Sequence, residues 1–307
     1  MQKDSTKIPG HALAYTLLLL TVLFWSGNWV VGRAIRGDVP PIALSFWRWM
    51  VAFICLLPWA WHPVRAQWRD LARHWGILAL LGLCGGACHN ALTYIGLSRT
   101  TATNGALLAS ATPIMIIGLS WALLGKGLRL IEWLGVLISL FGVLAIVSHG
   151  ELSLLIELRP NPGDLWVLVA MFSWALYTVL LAWRPAGLHP LAFLAAICAA
   201  GLFWLAPFYA WEIAAGQAIK PSLAAYSAII YAGLFPALLG FIFWNRAVAE
   251  VGSNKAGQFM NLMPAFGTLL AIVFLGERPG WIHLAGILLI LSGVYLTSAR
   301  RRHSGTP

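Results

Sequence analysis

Long stretches without a charged residue recur along the whole chain and constrain its fold more than any other feature. Nine such runs cover residues 8–32, 74–98, 100–125, 133–150, 165–183, 185–211, 221–245, 256–276 and 279–299, and a tenth, 39–64, contains only Arg48. A helix that crosses a bilayer needs roughly 20 predominantly apolar residues. Only helices or closed barrels satisfy the backbone in hydrocarbon, and the short alternating strands of a barrel do not occur in this sequence. We therefore predict an all-α integral membrane protein with ten transmembrane helices.

The composition and the termini agree with this prediction. Charged residues make up 10% of the chain, against about 25% in soluble domains. The first run follows Lys3 and Lys7, as in a signal peptide, but it is too long for one and precedes nine further runs, so we expect it to be the first helix. All four cysteines lie within runs, and we expect no disulfide framework.

The net charge of +10 carries information about topology. With a cytoplasmic N-terminus, thirteen Lys and Arg fall in loops on the inner side and six on the outer side. Positive residues accumulate on the cytoplasmic side of membrane proteins. We therefore predict a multi-pass protein of a bacterial-type inner membrane with both termini cytoplasmic. The lipid bilayer is then its partner, and no nucleic acid is expected.

The sequence repeats itself after 151 residues. Pro113 corresponds to Pro264, Gly135 to Gly286, and ten identities fall between residues 113–143 and their counterparts. The repeat divides the chain into residues 1–150, with helices 1–5, and residues 151–307, with helices 6–10. Because five is odd, the second half enters the membrane from the opposite side, which makes an inverted-topology repeat. Transporters with such repeats bind substrate near the bilayer midplane and expose it alternately to either side.

Three segments carry a resemblance to a known family. The segment "LGERPGWIHLAGILLILSGVYL" (275–296), its first-half counterpart "ATPIMIIGLSWALLGKGLRLIEWLGVLISLFGVL" (111–144) and "SFWRWMVA" (45–52) resemble the EamA family of the drug/metabolite transporter superfamily. The resemblance covers essentially the whole chain. The first half departs from the family at Lys126, where the family usually carries the Glu that the second half retains as Glu277. The resemblance implies a ten-helix transporter, similar to the YddG-type aromatic amino-acid exporters.

Two amides and two prolines are the first candidates for function. Gln258 and Asn261 share one helical face, because an α-helix has 3.6 residues per turn. Pro264 cannot donate a backbone hydrogen bond and should kink helix 9 near mid-membrane, as its counterpart Pro113 should kink helix 4. The amides either line a substrate cavity between the bent helices or hydrogen-bond one helix to another.

Ionisable residues inside the runs are candidates for recognition or coupling. His89, which precedes Asn90 and Tyr94 in helix 3, either has a functional role or is a neutral hydrogen-bonding group of the bundle. Arg48 either extends to the outer surface, braces carbonyl groups or binds a substrate carboxylate. No Asp or Glu lies in any run. Coupled transport would therefore use His89, Arg48 or an interfacial Glu. The alternative is an uncoupled downhill exchange.

Polar and aromatic side chains of other helices complete the predicted substrate site. They are Ser26 and Asn28 of helix 1, Ser110 of helix 4, Trp174 and Tyr177 of helix 6, and Trp244 and Asn245 of helix 8. The aromatic rings serve either as flat walls of a cavity or as part of the belt at the membrane interface. For most of the 17 Trp we expect the belt.

These observations favour a transporter that exports small metabolites, most simply amino acids including aromatic ones, or else other amphipathic metabolites or drugs. Anionic lipid carriers or nucleotide sugars would require several buried cations, and only Arg48 is available. An intramembrane enzyme lacks a supporting motif, and a channel lacks a repeated ring of charges or a filter. No GxxxxGK[ST] loop occurs, so we expect no ATP-binding partner, and we expect no cofactor or metal site.

Overall fold

The computed structural model describes residues 10–100, 102–148, 150–151, 161–275 and 280–298. Within these ranges the chain is helical apart from turns and short loops. Glu277 of the family motif lies outside the described residues, as do several charges used for the topology count (Lys3, Lys7, Arg159, Arg278, Arg300, Arg301 and Arg302).

Fifteen α-helices and four short 3-10 or π-helical segments follow one another in the described chain. The first half contains α1 (Gly10–Ala34), α2 (Pro41–Ala66), α3 (Trp68–Arg73), α4 (Trp75–Leu81), a π-helical segment (Gly82–Cys88), α5 (His89–Arg99), α6 (Ala102–Ser110), α7 (Thr112–Leu124) and α8 (Leu130–Val147). The second half contains α9 (Pro162–Leu180), a 3-10 turn (Leu181–Trp183), α10 (Pro190–Ala214), α11 (Leu223–Ala232), a π-helical segment (Gly233–Leu239), α12 (Gly240–Val251), α13 (Ser253–Gln258), a 3-10 segment (Phe259–Leu262), α14 (Met263–Leu275) and α15 (Trp281–Ser298).

Nine helical segments of the described chain are long and apolar enough to cross a membrane. They correspond to nine of the ten charge-poor runs. The remaining run lies in the continuous succession of α13, the 3-10 segment Phe259–Leu262 and α14, which is not among these nine. The prediction of ten spanning helices is thus matched at nine places, and the tenth run contains the 3-10 segment and both predicted amides.

The most extensive helix contacts follow the sequence repeat. They join α8 to α15, α2 to α10, α5 to α9 and α1 to α12. At the offset of 151 residues, α8 corresponds to α15 and α2 to α10, so each of these two contacts joins a helix to its own counterpart. Likewise α1 corresponds to α9 and α5 to α12, so the contact between α1 and α12 is the counterpart of the contact between α9 and α5. Equivalent helices therefore pack in equivalent ways in the two halves.

Four glycines bring α8 and α15 into close contact. A Cβ on Gly142 would lie 2.6 Å from the carbonyl oxygen of Gly286, and one on Gly135 would lie 2.6 Å from the carbonyl oxygen of Gly293. The earlier glycine of α8 meets the later one of α15, so the two helices run antiparallel. Since Gly135 and Gly142 are the repeat counterparts of Gly286 and Gly293, exchanging the halves leaves this set of contacts unchanged.

The two π-helical segments are also repeat counterparts. Gly82–Cys88 and Gly233–Leu239 are separated by 151 residues at both ends. π-Helical turns often occur at functional sites, because they alter which side chains a helix presents. In the first of them, a Cβ on Gly86 would lie 3.0 Å from the Cα of Gly201 in α10, so the small residues permit close helix approach.

Both predicted proline positions follow an interruption of the helix. α6 ends at Ser110, and Pro113 lies in the first turn of α7. In the second half, the 3-10 segment Phe259–Leu262 separates α13 from α14, and Pro264 follows at the start of α14. Proline is well tolerated in the first turn of a helix, where its missing N–H has no intrahelical acceptor.

A buried carboxylate fixes the beginning of α2. Glu212, near the end of α10, accepts hydrogen bonds from the backbone N–H groups of Ile42 (3.1 Å) and Ala43 (2.6 Å). The first N–H groups of a helix have no intrahelical acceptor, and a negative charge there interacts favourably with the helix dipole. Glu212 is 3% exposed, so a residue at the end of a charge-free run is an internal cap between two helices.

Candidate functional site

A cluster of aromatic rings lies where α1, α5, α9 and α12 meet. Its centre is Trp174, which is fully buried. The ring centroids of five neighbours lie within 5.4 Å of that of Trp174: Trp25 (4.8 Å), His89 (4.9 Å), Tyr177 (5.1 Å), Phe241 (5.4 Å) and Trp244 (5.4 Å). The indole N–H groups of Trp174 and Trp244 have no acceptor among the described residues. The cluster is therefore predominantly apolar and contains two buried indole donors without an acceptor among the described residues.

Beside this cluster, Arg48 of α2 is held by neutral side chains. Its Nη1 donates to Asn90 Oδ1 (2.7 Å) and to the Tyr94 hydroxyl (3.0 Å). The Tyr94 hydroxyl in turn donates to Asn28 Oδ1 (2.9 Å). Arg48 is 1% exposed, which excludes the predicted alternative in which it extends to the surface. The sequence identified all four residues, and the structure brings them together in one hydrogen-bonded group.

A second tyrosine–asparagine pair lies in the other half. The Tyr177 hydroxyl of α9 donates to Asn245 Oδ1 of α12 at 2.7 Å. Asn245 is the repeat counterpart of Tyr94, and α9 and α12 are the counterparts of α1 and α5. In the first half the tyrosine lies in α5 and the asparagine in α1. In the second half the tyrosine lies in the counterpart of α1 and the asparagine in the counterpart of α5. Each half thus contains one buried Tyr–Asn bond between equivalent helices.

The aromatic cluster and the Arg48 group enclose a very small central cavity of about 20 Å³. Its lining includes Trp25, Asn28, Trp29, Arg48, His89, Asn90, Tyr94, Trp174, Phe241, Met260 and Met263. A volume of this size holds about one water molecule. The centre of the bundle is therefore closed in this conformation, and a metabolite would enter only after helices separate.

A larger side cavity of about 210 Å³ lies next to the central one. Ser26, Ser110, Asn261 and Pro264 line it among mainly apolar residues. Trp29, Met260 and Met263 line both cavities and so form the partition between them. Met260 belongs to the 3-10 segment, and Met263 is the first residue of α14, which places the interruption of the helix in this partition.

The two predicted amides have different surroundings. Asn261 lines the side cavity and also donates from Nδ2 to the Ser139 hydroxyl of α8 (2.7 Å), so its position is compatible with both predicted roles. Gln258 is 1% exposed and lines neither cavity. Neither its Oε1 nor its Nε2 has a hydrogen-bond partner among the described residues. A buried amide in this state is costly, at about 1–3 kcal/mol for each unpaired group.

His89 has one hydrogen-bond partner, because its Nδ1 lies 3.1 Å from the carbonyl oxygen of Ala170. This contact fits the predicted alternative of a bonded histidine inside the bundle, although the ring also lines the central cavity. Ser26 and Ser110 bond to the backbone carbonyls of Val22 and Leu107, as hydroxyls commonly do within helices.

An open vestibule of about 850 Å³ lies at the end of the bundle where α7, α9 and α12 end and α8 and α13 begin. Asn245 is part of its lining, and so are Lys126, Arg129, Arg184 and Lys255. The Tyr177–Asn245 bond therefore lies between this vestibule and the aromatic cluster.

Several residues of the centre were not among the predicted site residues. They include Phe241, Met260 and Met263. Phe241 is the repeat counterpart of Asn90, so the repeat itself could have identified it. In the sequence the two methionines resemble ordinary core residues of a helix. Only the structure shows that they lie in or directly after the 3-10 segment Phe259–Leu262 and separate the two cavities.

Long apolar helices around a closed aromatic centre define a multi-pass membrane protein. A model of the EamA-like transporter family matches residues 12–148 and again residues 161–299. The chain belongs to this family, and the double match shows that it contains two copies of the family's repeat.

Similar proteins agree with this assignment. An uncharacterized transporter from Archaeoglobus fulgidus is 27% identical over 95% of this chain and 99% of its own length. A probable terminal-alkyne amino-acid exporter from Streptantibioticus cattleyicolor is 28% identical over 94% of this chain and 96% of its own. One crystal structure has a TM-score of 0.71 at 20% identity and covers 92% of this chain and 95% of its own, which shows the fold alone. Family and relatives point to a transporter rather than an enzyme.

Proposed function

We propose that this protein exports small amphipathic metabolites, most simply amino acids including aromatic ones, across the inner membrane. The observation that carries the proposal is the aromatic cluster around Trp174, which lies between helices of both repeats. Aromatic faces bind apolar side chains and also attract a substrate ammonium group. Similarity to a probable amino-acid exporter supports the same substrate class.

The proposed mechanism is alternating access between two inverted repeats, residues 1–150 and 151–307. The antiparallel glycine contacts of α8 and α15 and the exchange of equivalent helix pairs support an inverted relation. In this arrangement the segment 253–275 crosses the membrane as a tenth, interrupted span. Interrupted helices commonly form the binding sites of transporters with inverted repeats, because their ends leave backbone groups free.

The topology that we propose has both termini in the cytoplasm. The 850 Å³ vestibule then opens to the cytoplasm, and its four cationic residues follow the positive-inside rule. The Tyr177–Asn245 bond would close the central site towards this side, and the Arg48 group would close it towards the outside. The partition must move at the two interrupted helices. These helices contain the predicted residues Pro113, Gln258, Asn261 and Pro264.

A competition experiment tests the substrate class. The purified full-length protein is reconstituted in liposomes, and uptake of labelled L-phenylalanine is measured with unlabelled amino acids, nucleotide sugars and cationic drugs as competitors at two pH values. We expect competition from apolar and aromatic amino acids and none from nucleotide sugars. Competition by cationic drugs alone would favour the alternative of a drug exporter and contradict the proposed substrate.

A further inference from the structure

Arg48 is a buried cation without an anionic partner in the part of the chain that the structure describes. The one ion pair among the described residues joins His11 to Glu250. The buried carboxylate of Glu212 is engaged by the first turn of α2. A charge that is removed from water without an opposite charge strongly destabilises a protein. A bound molecule with a negative charge would supply the missing partner.

The orientation of the Arg48 side chain leaves one edge of its guanidinium available. Both of its hydrogen bonds, to Asn90 and Tyr94, come from Nη1. Nε is buried and has no partner among the described residues. The free edge is therefore the one that carries Nε, and a guanidinium can bind both oxygens of a carboxylate through two parallel N–H groups.

The surroundings of Arg48 define the rest of the ligand. Arg48 lines the central cavity together with the rings of Trp25, Trp174 and Phe241. An anion bound to Arg48 would have its apolar part next to these rings. One positive charge is sufficient for a monocarboxylate and insufficient for a phosphate or a nucleotide sugar, because the other described residues that line the cavity carry no fixed positive charge.

We propose that Arg48 binds the carboxylate of the transported molecule and that Asn90, Tyr94 and Asn28 position its guanidinium. The site takes a monocarboxylate with an apolar or aromatic side chain. The central cavity of about 20 Å³ is too small for such a molecule, so the partition formed by Trp29, Met260 and Met263 must move to make room for it. Methionine side chains adapt readily to such rearrangements. This inference rests on the proposed function for its assumption that a small molecule occupies the centre.

The first test changes the ligand and leaves the protein intact. Binding of L-phenylalanine, L-phenylalaninamide, 2-phenylethylamine and 3-phenylpropanoate to the purified full-length protein is measured by thermal stabilisation. A charge-assisted pair of hydrogen bonds predicts that the two carboxylates bind roughly 10- to 100-fold more tightly than the amide and the amine. Equal affinity of L-phenylalanine and its amide would overturn the proposal, and so would the absence of binding by both carboxylates.

The second test changes the protein. Arg48→Gln should abolish the preference for the carboxylates and leave the weak binding of the amide unchanged. Arg36→Gln, the same substitution at an exposed arginine in the turn after α1, should retain the wild-type preference. If Arg48→Gln does not fold, Arg48→Lys keeps the charge without the planar guanidinium, and we expect at least a fivefold loss of carboxylate affinity. A wild-type preference in the folded Gln or Lys variant would overturn the proposal.

These outcomes are separable from those of the proposed function. Transport of L-phenylalanine with equal competition by its amide would leave the proposed function standing and remove the role of Arg48. Conversely, Arg48-dependent binding of 3-phenylpropanoate without binding or transport of any amino acid would support the carboxylate site and contradict amino-acid export.

Discussion

Replacing Gly142 by alanine places a methyl group in the close contact between α8 and α15. Its Cβ would lie 2.6 Å from the Gly286 carbonyl oxygen and 2.9 Å from the Ile290 backbone nitrogen. Neither backbone atom can move away by a rotamer change, so the helices must separate. Overpacking of this kind costs about 1–3 kcal/mol. The intrinsic helix preference of alanine over glycine returns about 0.5–1 kcal/mol.

A matched control isolates the packing cost. Gly118 of α7 is exposed, and a Cβ there would meet nothing within 4 Å. Gly118→Ala therefore gains the helix preference without the clash, so the difference between the two variants is the packing cost alone. The assay is the apparent midpoint of thermal unfolding in detergent at one fixed scan rate, because unfolding of such proteins is often irreversible.

We expect Gly142→Ala to unfold several degrees below Gly118→Ala. The double variant with Gly286→Ala should lose less than the sum of the two single losses, because one separation of the helices relieves both clashes. Equal midpoints for Gly142→Ala and Gly118→Ala would refute the close antiparallel contact and with it the main geometric support for inverted repeats.

Three further predictions concern buried polar groups. Tyr177→Phe leaves Asn245 Oδ1 without its donor, and we expect a loss of about 1–2 kcal/mol of stability and slower transport. Glu212→Gln removes the charge that caps α2, which should lower the free energy of unfolding by a similar amount. Asn261→Leu breaks the bond to Ser139 and removes the one amide among the described residues that line the side cavity, so we expect reduced transport with a smaller change in stability.

Controls for these variants are available in the same chain. Tyr226→Phe changes an exposed tyrosine and Glu151→Gln an exposed carboxylate, so each should leave the free energy of unfolding within about 0.5 kcal/mol of the wild-type value. If the buried variants behave like these exposed ones, the hydrogen bonds at Tyr177 and Glu212 do not contribute to the fold.

The helical membrane fold and its repeat followed from the sequence because both depend on simple patterns. Lipid excludes charge, so the spans are visible as charge-free runs. A close helix contact requires glycine, so Gly135 and Gly142 recur as Gly286 and Gly293. The interruption at Phe259–Leu262 was expected only as a kink at Pro264. Proline predicts a disturbed hydrogen-bond pattern, but tertiary packing decides whether the chain bends or forms a 3-10 segment.

The candidate site could be predicted in part. Asn28, Arg48, Asn90 and Tyr94 were identified individually because polar residues in apolar helices are unusual, and the structure shows that they form one group. The partition residues Met260 and Met263 were missed, because methionine in an apolar helix has no distinguishing pattern. For Glu212 the sequence shows only that it follows a charge-free run, because its role depends on a contact with a helix about 170 residues away.

Counterflow tests the central claim of a small-molecule carrier most directly. Liposomes that contain the purified full-length protein are loaded with unlabelled L-phenylalanine and diluted into buffer with a trace of labelled L-phenylalanine. An alternating-access carrier predicts a transient accumulation of label above its equilibrium level, recovered as unmodified L-phenylalanine. Label that reaches equilibrium without an overshoot would indicate a channel, chemically altered label would indicate an enzyme, and the absence of any uptake would contradict amino-acid transport.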